Sequence, residues 1–298
     1  MDGILNIYKE KGYTSHDVVA RLRGILKVKK IGHTGTLDPD AVGVLPICVG
    51  KATKVCDLLT SQDKTYLAKV RLGITTDTLD MSGTVQKSRP VSVTSEQLES
   101  ALKAFTGEIS QIPPMYSAIK VNGKKLYELA RKGEVIDRKP RTVTIYEIKL
   151  MDDYLTKDEF TILVTCSKGT YIRTLCADIG EMLGCGAIVK DLERIRVGDF
   201  HMEHSMTLGM VERFCEKSSP EKLLKPIDSL FEQYAACRVS GEGLHFLANG
   251  NPVAPSFCDY AAGEGETVRM YDEQGEFYAL YQYSGKNKRY KVVKMFHG

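Results

Sequence analysis

The sequence of 298 residues lacks the features that mark a membrane or secreted protein. No apolar run approaches the roughly 18 residues that a membrane span needs, and the opening Met-Asp-Gly-Ile-Leu has neither the basic nor the apolar region of a signal peptide. The eight cysteines include no Cys-x-x-Cys pair, so neither a zinc site nor a disulfide framework is indicated. We therefore expect a cytoplasmic protein with reduced thiols.

Motifs for nucleotide cofactors and metals are also missing. Gly50-Lys51 resembles the end of a phosphate-binding loop, but Leu45 stands where that loop needs a glycine and Ala52 where it needs Ser or Thr. No Gly-x-Gly-x-x-Gly occurs, which leaves a dinucleotide enzyme unsupported. His201 and His204 have no third ligand in a metal-binding pattern, so we predict no metal site.

The charge is small in total but unevenly distributed. The net charge is +3, and 43% hydrophobic with 27% charged residues is typical of an ordinary globular protein. Basic residues nevertheless cluster in three places: between 21 and 30, between 120 and 141, and between 286 and 294. A single cluster is usually a solvated face, whereas three in one chain favour a polyanionic partner.

Strand and helix patterns alternate irregularly along the first half of the chain. A short strand is predicted near Ile4 to Tyr8, then a helix that a capping box at Thr14 begins, then a glycine-rich loop that starts at Ile31. Alternating apolar residues from Tyr66 to Leu72 predict a half-buried strand, and Thr94 begins another helix. This irregular order favours an α+β fold over a doubly wound one.

The second half predicts an excursion, a further sheet and helix, and a separate tail. Proline and glycine punctuate a basic excursion at about 111–141, after which strand and helix patterns resume up to Gly184. A break at Ser218-Ser219-Pro220 precedes a tail rich in short strands, including 277–283 and 289–296. We predict one large domain, 1–234, and a small β domain, 235–298.

Two segments carry residues suited to chemistry. In Gly32-His33-Thr34-Gly35-Thr36-Leu37-Asp38-Pro39, the glycines allow close approach of a ligand and Pro39 holds Asp38 extended, so that its carboxylate can point into a cleft. The alternative is a turn in which Asp38 caps its own backbone. In the segment 167–175, Arg173 lies in the first turn of a predicted helix, where it can pair with a buried carboxylate or lie on the surface.

These segments resemble the TruB class of tRNA pseudouridine synthases along nearly the whole chain. Residues 11–19 resemble the opening motif of that family and 32–54 its catalytic-aspartate motif. Residues 111–131 resemble its RNA-gripping insertion, 167–180 the motif that supplies a tyrosine and an arginine, and the tail its small PUA-like domain. One departure is Leu192-Glu193-Arg194-Ile195, where the acidic Glu193 replaces the basic residue that is usual in the family.

The resemblance implies a fold and roles for individual residues. The expected fold is α+β: a catalytic domain with a mixed, largely antiparallel sheet flanked by helices, and a small C-terminal PUA-like β-barrel. Asp38 would be the catalytic aspartate paired with Arg173, and His33 would contact the extruded nucleotides. Tyr66 would stack on the target base, and Tyr171 and Leu192 would line the uracil pocket. The RNA-contacting candidates are Lys64, Lys120, Lys124, Lys125, Arg131 and Arg141.

The implied activity is conversion of uridine 55, in the T-arm loop of tRNA, to pseudouridine. The reaction breaks the bond from ribose C1′ to N1 and rejoins C1′ to C5, so it needs an ionised carboxylate and no cofactor or metal. We expect a monomer that acts on tRNA without a protein partner. One alternative is an RNA-binding or RNA-folding protein in which Asp38 is structural. Another, a synthase that depends on a guide RNA, is disfavoured by the compact chain without a long basic tail.

Overall fold

A computed structural model gives the fold of residues 1–121, 123–151 and 158–297. The strands are β1 (Gly3–Lys9), β2 (Ile31–His33), β3 (Val42–Val49), β4 (Lys64–Leu72), β5 (Ile74–Thr76), β6 (Val85–Ser88), β7 (Gly107–Gln111), β8 (Lys120–Val121), β9 (Lys124–Lys125), β10 (Arg141–Leu150), β11 (Glu159–Cys166), β12 (Ala187–Val197), β13 (Phe200–His201), β14 (Ala235–Arg238), β15 (Thr267–Tyr271), β16 (Phe277–Ser284) and β17 (Arg289–Met295). The helices are α1 (Ser15–Leu26), α2 (Cys56–Thr60), α3 (Ser95–Ala104), α4 (Leu126–Ala130), α5 (Ile172–Met182), α6 (Leu208–Lys217) and α7 (Gly243–Ala248).

A nine-stranded sheet forms the centre of the large domain. Its strands follow the order β1-β3-β12-β4-β11-β10-β7, with β2 added beside β3 and β13 beside β12. Within the described residues, the pairing of β12 with β3 is parallel and all other pairings in this sheet are antiparallel. The predicted α+β fold with a mixed, largely antiparallel sheet is therefore confirmed.

Helices cover the sheet and enclose two cores. Thr14 caps α1 and Thr94 caps α3, each through the predicted capping box, so both helices begin where the sequence indicates. Helices α3 and α5 pack on β4, β10 and β11 around Leu98 and Leu175. Helices α1 and α6 pack on β1 and β3. No helix within the described residues is long and apolar enough to cross a membrane.

The predicted loop from Ile31 is shorter than expected. Residues 31–33 form β2 and residues 42–49 form β3, so the irregular segment is limited to 34–41. Strand β3 has buried residues at seven successive positions because β1 and β12 flank it and core side chains cover both faces. A strand buried on both faces shows no alternation of apolar and polar residues. Gly43 and Pro46 are also uncommon residues in strands, so the sequence pattern does not indicate β3.

The basic excursion leaves the sheet after β7 and returns in β10. It contains the β8–β9 hairpin and the short helix α4, whose Leu126 and Leu129 are buried. Arg138 Nη1 donates to the carbonyl of Pro113 at 2.9 Å and so joins the two ends of the excursion. The excursion is therefore a folded insertion with a small core of its own.

The C-terminal tail has its own four-stranded sheet in the order β14-β15-β16-β17. Its core contains Val268, Met270, Tyr281 and Tyr290, all fully buried. An aromatic cluster that includes Phe231, Phe277 and Phe296 lies between this sheet and the large domain. The tail thus packs against the large domain through apolar side chains.

Gly43 permits the close approach of β3 to β12. A Cβ atom at Gly43 would lie 2.2 Å from the carbonyl oxygen of Arg194, and φ at Gly43 is +108°. We expect Gly43→Ala to lower the free energy of unfolding by about 3 kcal/mol or more. Alanine would be strained at this positive φ, and its Cβ atom would clash with backbone atoms of Arg194, which cannot easily move. Urea unfolding measures this loss. Gly24→Ala, on the exposed face of α1 with open space around it, is the matched control.

The control should change stability in the opposite direction. Alanine is the better helix former, so Gly24→Ala should raise the free energy of unfolding by about 0.5–1 kcal/mol. A Gly43→Ala protein as stable as the wild type would contradict this account of the β3–β12 contact.

Candidate active site

A cavity of about 310 Å³ opens beside the loop 34–41. Charged side chains from five separate segments surround it, together with a few apolar side chains. The lining residues are Lys11, Asp38, Asp40, Ala41, Asp80, Met81, Ser82, Arg173, Val189, Lys190 and Leu192. Its size falls at the lower end of the range for small-molecule sites, about 300–1,000 Å³.

The loop that carries Asp38 is fixed at both ends by the N-terminal segment. The backbone N–H of Gly12 donates to the carbonyl of Pro39 at 2.9 Å. The fully buried ammonium of Lys9 donates to the same carbonyl at 3.2 Å and to that of Tyr13 at 2.7 Å. Ser15 Oγ accepts the N–H of Leu37. The backbone on either side of Asp38 is thus held in place.

Arg173 pairs with Asp38 at the floor of the cavity. The distance from Arg173 Nη2 to Asp38 Oδ2 is 3.0 Å, and Arg173 itself is only 6% exposed. No backbone N–H in the described part of the chain donates to the Asp38 carboxylate. This contradicts the alternative in which Asp38 caps a turn, and it rules out a surface position for Arg173.

Arg173 also joins Asp38 to two other segments. Its Nη2 donates to the carbonyl of Tyr116 in the insertion at 2.7 Å. Its Nη1 donates to the carbonyl of Thr78 at 2.9 Å and lies 3.4 Å from Asp80 Oδ2. A buried guanidinium is stable only when its N–H groups find partners, so the position of Arg173 depends on all of these contacts.

Asp80 is held by hydroxyl groups of its own turn. Asp80 Oδ1 accepts hydrogen bonds from Thr78 Oγ1 at 2.6 Å, Ser82 Oγ at 2.6 Å and the N–H of Ser82 at 3.0 Å. The other carboxylate oxygen faces Arg173. Asp80 therefore orients the guanidinium through Nη1, whereas Asp38 pairs with Nη2.

The protein environment makes ionisation of Asp38 harder. Its side chain is 42% exposed and lines the cavity, where surrounding protein displaces part of the bulk water. Burial raises the pKa of Asp38 above its ordinary value, Arg173 opposes this increase, and the nearby charge of Asp80 adds to it. The resulting carboxylate is poorly hydrated and paired with one cation.

Neither of the tyrosines expected in the pocket is among the side chains that line the cavity, whereas the expected leucine is. Leu192 lines the cavity wall. Tyr66 projects from β4 and is 9% exposed, and Tyr171 caps the start of α5. Burial raises the pKa of both phenols, and the negative charge of Asp38 contributes to each increase. The roles expected of these residues stay predictions.

His33 lies at the end of β2, just before the Asp38 loop. Its Nδ1 is 3.2 Å from the carbonyl oxygen of Gly35, and its ring stacks edge-on against His16 at 5.1 Å between centroids. Burial lowers the pKa of His33, and His16 adds to the decrease. A neutral imidazole at neutral pH follows from this environment.

Lys64 does not fit the prediction that it contacts RNA. It is 6% exposed, and its ammonium donates to the carbonyls of Thr60 at 2.6 Å and Gln62 at 2.5 Å. Burial lowers its pKa to about 8. A lysine whose N–H groups bind the protein backbone beneath the surface is not placed to reach a phosphate.

The other basic candidates lie on the insertion or at its return to the sheet: Lys120, Lys124, Lys125, Arg131 and Arg141. The side chain of Lys120 lies outside the described part of the structure. Lys125 and Arg131 each lie 5.3 Å from the centre of the Tyr127 ring, and Lys124, Arg131 and Arg141 are exposed. These side chains are free to reach an anionic partner.

Sequence reasoning did not identify Lys9, Asp80 or Arg194. Lys9 shares the inward face of β1 with Leu5 and Ile7, and a charged residue at such a position is a usable signal. Asp80 ends a turn rich in hydroxyl and carboxylate groups, which is a weaker signal. Arg194, only 1% exposed, is recognisable only once β12 is aligned with its neighbours.

Glu193, where the sequence departs from the family pattern, and the pair His201 and His204 both lie outside the cavity that contains Asp38. Glu193 Oε1 accepts a hydrogen bond from the hydroxyl of Tyr8 at 2.7 Å, so the acid is tied to β1. His201 and His204 lie beside a separate cavity of about 240 Å³. Within the described residues, no group of three or more His, Cys, Asp or Glu side chains is arranged to hold a metal ion.

The raised pKa of Asp38 has a consequence for stability. The folded protein binds the Asp38 proton more tightly than the unfolded chain does, so ionisation costs stability as pH rises from 3.8 through the folded pKa. We expect the stability of Asp38→Asn, relative to the wild type, to increase as pH rises from 3.8 through the folded pKa of Asp38. Denaturant unfolding across this range measures the difference.

Asp178→Asn is the positive control for this prediction. Burial raises the pKa of Asp178 to about 6, so the same relative gain should develop between 3.8 and about 6. A difference between Asp38→Asn and the wild type that stays flat or falls with pH would contradict the assigned environment of Asp38.

Comparison with known proteins identifies the family. Residues 23–172 match the family described as TruB family pseudouridylate synthase (N terminal domain), and residues 173–232 match the tRNA pseudouridylate synthase B C-terminal domain. The tRNA pseudouridine synthase B of Lachnoclostridium phytofermentans is 49% identical, covering 99% of this chain and 100% of the relative.

Solved structures agree with the sequence comparison. A chain of a Cbf5-Nop10-Gar1 complex is 27% identical, with a TM-score of 0.71 over 99% of this chain and 84% of the other. A chain of an H/ACA RNP bound to a substrate RNA containing 2′-deoxyuridine is 25% identical, with a TM-score of 0.71 over 99% of this chain and 85% of the other. The chain therefore belongs to the TruB family of pseudouridylate synthases.

Proposed function

We propose that this chain converts uridine 55 in the T-arm loop of tRNA to pseudouridine and that Asp38 is its catalytic carboxylate. The observation that carries the proposal is the Asp38–Arg173 pair at the floor of a cavity, with no backbone group in the described residues bound to the carboxylate. The name tRNA pseudouridine synthase B, carried by full-length relatives, supports tRNA as the substrate.

The reaction needs little more than this arrangement supplies. The bond between ribose C1′ and uracil N1 breaks, the base turns, and C1′ joins C5, while the proton at C5 is lost and N1 gains one. An ionised carboxylate beside the sugar is required, and Arg173 keeps Asp38 ionised once the substrate displaces water. Asp80 holds Arg173 in the orientation that makes this pairing possible.

A uridine inside a folded loop must leave its stack to reach Asp38. Extrusion costs a few kcal/mol, and an aromatic ring that receives the base returns about 1–3 kcal/mol. Tyr66 is the proposed receiver and His33 the contact for the displaced nucleotides. Because Tyr66 is 9% exposed, stacking requires neighbouring side chains to move when the base enters. Tyr171 and Leu192 would then line the uracil pocket.

The rest of the T-arm would bind the insertion and the tail. Lys124, Lys125, Arg131 and Arg141 offer cations on the insertion, and Arg173 connects that insertion to Asp38 through the carbonyl of Tyr116. We propose that the tail, 235–298, is a PUA-like RNA-binding domain, since its own sheet carries the basic residues between 286 and 294. We further propose that the protein acts in the cytoplasm as a monomer, without a protein partner.

Replacing the proposed catalytic carboxylate tests this function. Asp38→Asn should reduce the rate of pseudouridine formation by more than about 1,000-fold, because the amide is neutral and cannot act as nucleophile or base. The assay follows tritium release from a T-arm stem-loop labelled at C5 of uridine, with RNA affinity measured in parallel. Affinity should change by less than about threefold.

The same assay separates an enzyme from an RNA-folding protein. If the wild type binds the stem-loop tightly and releases no tritium, the RNA-binding alternative with a structural Asp38 is favoured. If Asp38→Asn retains appreciable activity, the proposed role of Asp38 is wrong.

The insertion provides an independent test of RNA binding. Lys124→Ala combined with Arg131→Ala should weaken binding and reduce its salt dependence, by about 0.7–0.9 in the slope of log affinity against log salt for each lost phosphate contact. Lys217→Ala, an exposed lysine at the end of α6, is the matched control and should leave the slope unchanged. An unchanged slope in the double variant would exclude phosphate contacts at these two residues.

A further inference from the structure

Arg194 is the largest fully buried side chain in the described residues, and its surroundings are unusual for an arginine. It lies in β12, directly opposite Tyr66 on the antiparallel strand β4 and opposite Gly43 on the parallel strand β3. Directly opposed side chains on neighbouring strands project from the same face of a sheet. The guanidinium of Arg194 therefore shares a face with the phenol of Tyr66.

No anion in the described part of the protein neutralises Arg194. No carboxylate there lies within 4.0 Å of its guanidinium. Its Nε donates to the carbonyl of Val44 at 2.7 Å, whereas Nη2 is buried without a hydrogen-bond partner. A buried charge costs several kcal/mol unless it is paired. A structural ion pair does not explain this residue.

The contacts of Arg194 bracket the loop that carries Asp38. Val44 follows the loop, and Gly35 lies within it; a Cβ atom added to Gly35 would be 3.8 Å from Arg194 Nη1. Tyr66 lies opposite Arg194 on β4, so its phenol and the guanidinium share one face of the sheet. One rigid, planar group thus reaches the two parts of the site that must hold a fixed geometry: the proposed aromatic platform and the loop of the proposed catalytic carboxylate.

The other charged groups around Arg194 are also cations. Lys9 and Lys64 are buried, burial lowers the pKa of each to about 8, and the charge of Arg194 contributes to both decreases. Burial lowers the pKa of His33, again with a contribution from Arg194. Repulsion from these neighbours disfavours a charge at this position. An arginine at this position therefore points to a function beyond stability.

We propose that Arg194 is a positioning residue for pseudouridine formation, which holds the phenol of Tyr66 and the Asp38 loop in a fixed relation through one guanidinium. The unpartnered Nη2 is the donor available to the Tyr66 hydroxyl. This inference rests on the proposed function and adds a residue that does not line the cavity. Its effect should appear in the chemical step, because misplacement by about 1 Å can cost about 100-fold in rate.

Single-turnover kinetics with T-arm RNA test the proposal. Arg194→Gln should lower the rate constant about 30- to 100-fold and change RNA affinity by less than about threefold, because Arg194 is almost fully buried beneath the protein surface. Arg196→Gln is the matched control: this arginine lies two residues along β12 and donates to Thr65 and Gly198. It should change the rate by less than about twofold.

Arg194→Lys keeps the test valid if the glutamine variant does not fold. An ammonium can donate to the Val44 carbonyl or to the Tyr66 hydroxyl but cannot span both, so the rate should fall about 10-fold or more with RNA affinity retained. Equal losses of rate and affinity, or a rate for a folded Arg194 variant within about threefold of the wild type, would overturn the proposal.

A measurement that needs no catalysis separates this inference from the proposed function. Fluorotyrosine placed at position 66 reports the titration of that phenol by fluorine NMR. Burial raises the pKa of Tyr66 and Arg194 opposes the increase, so Arg194→Gln should move the titration to higher pH, while Arg196→Gln should not. An unchanged titration overturns the Arg194–Tyr66 contact. A wild type without synthase activity overturns the proposed function instead.

Discussion

The ion pair between Arg173 and Asp38 is the interaction on which the candidate active site depends. Desolvation raises the pKa of Asp38, so its ionised form requires the nearby cation. The cation is itself buried and is held by the carbonyls of Thr78 and Tyr116 and by Asp80. The guanidinium of Arg173 therefore connects four segments: the start of α5, the 34–41 loop, the Asp80 turn and the insertion. Displacing any of these segments would change the charge available at Asp38.

The central sheet provides a rigid support for the segments that contact Arg173. Strands β3, β12 and β4 lie side by side beneath the site, and Gly43 allows the first two to approach closely. Lys9 in β1 donates to the carbonyl of Pro39 in the loop, and Arg194 in β12 donates to the carbonyl of Val44 in β3. Both are buried cations, which is a stability cost concentrated around the proposed catalytic loop.

Local sequence patterns predicted those helices and strands whose position depends mainly on residues close together in the chain. Capping boxes at Thr14 and Thr94 and the alternation through β4 correspond to the observed helices and strand. Strand β3 escaped prediction because it is buried on both faces and shows no alternation. The family resemblance predicted the Asp38–Arg173 pair. Partners joined across a long stretch of chain, such as Arg194 with Val44, depend on strand register, and local patterns contain no information about it.

The central claim is that a uridine enters the cavity and meets Asp38. A crystal structure of the chain with a T-arm stem-loop, carrying 5-fluorouridine at the target position, tests it most directly, since fluorine replaces the C5 hydrogen that the normal reaction releases as a proton. The account predicts an extruded nucleotide with the Asp38 carboxylate about 3–3.5 Å from the reacting nucleoside and Tyr66 against the base. A uridine that stays stacked in its loop, or lies away from Asp38, would contradict it.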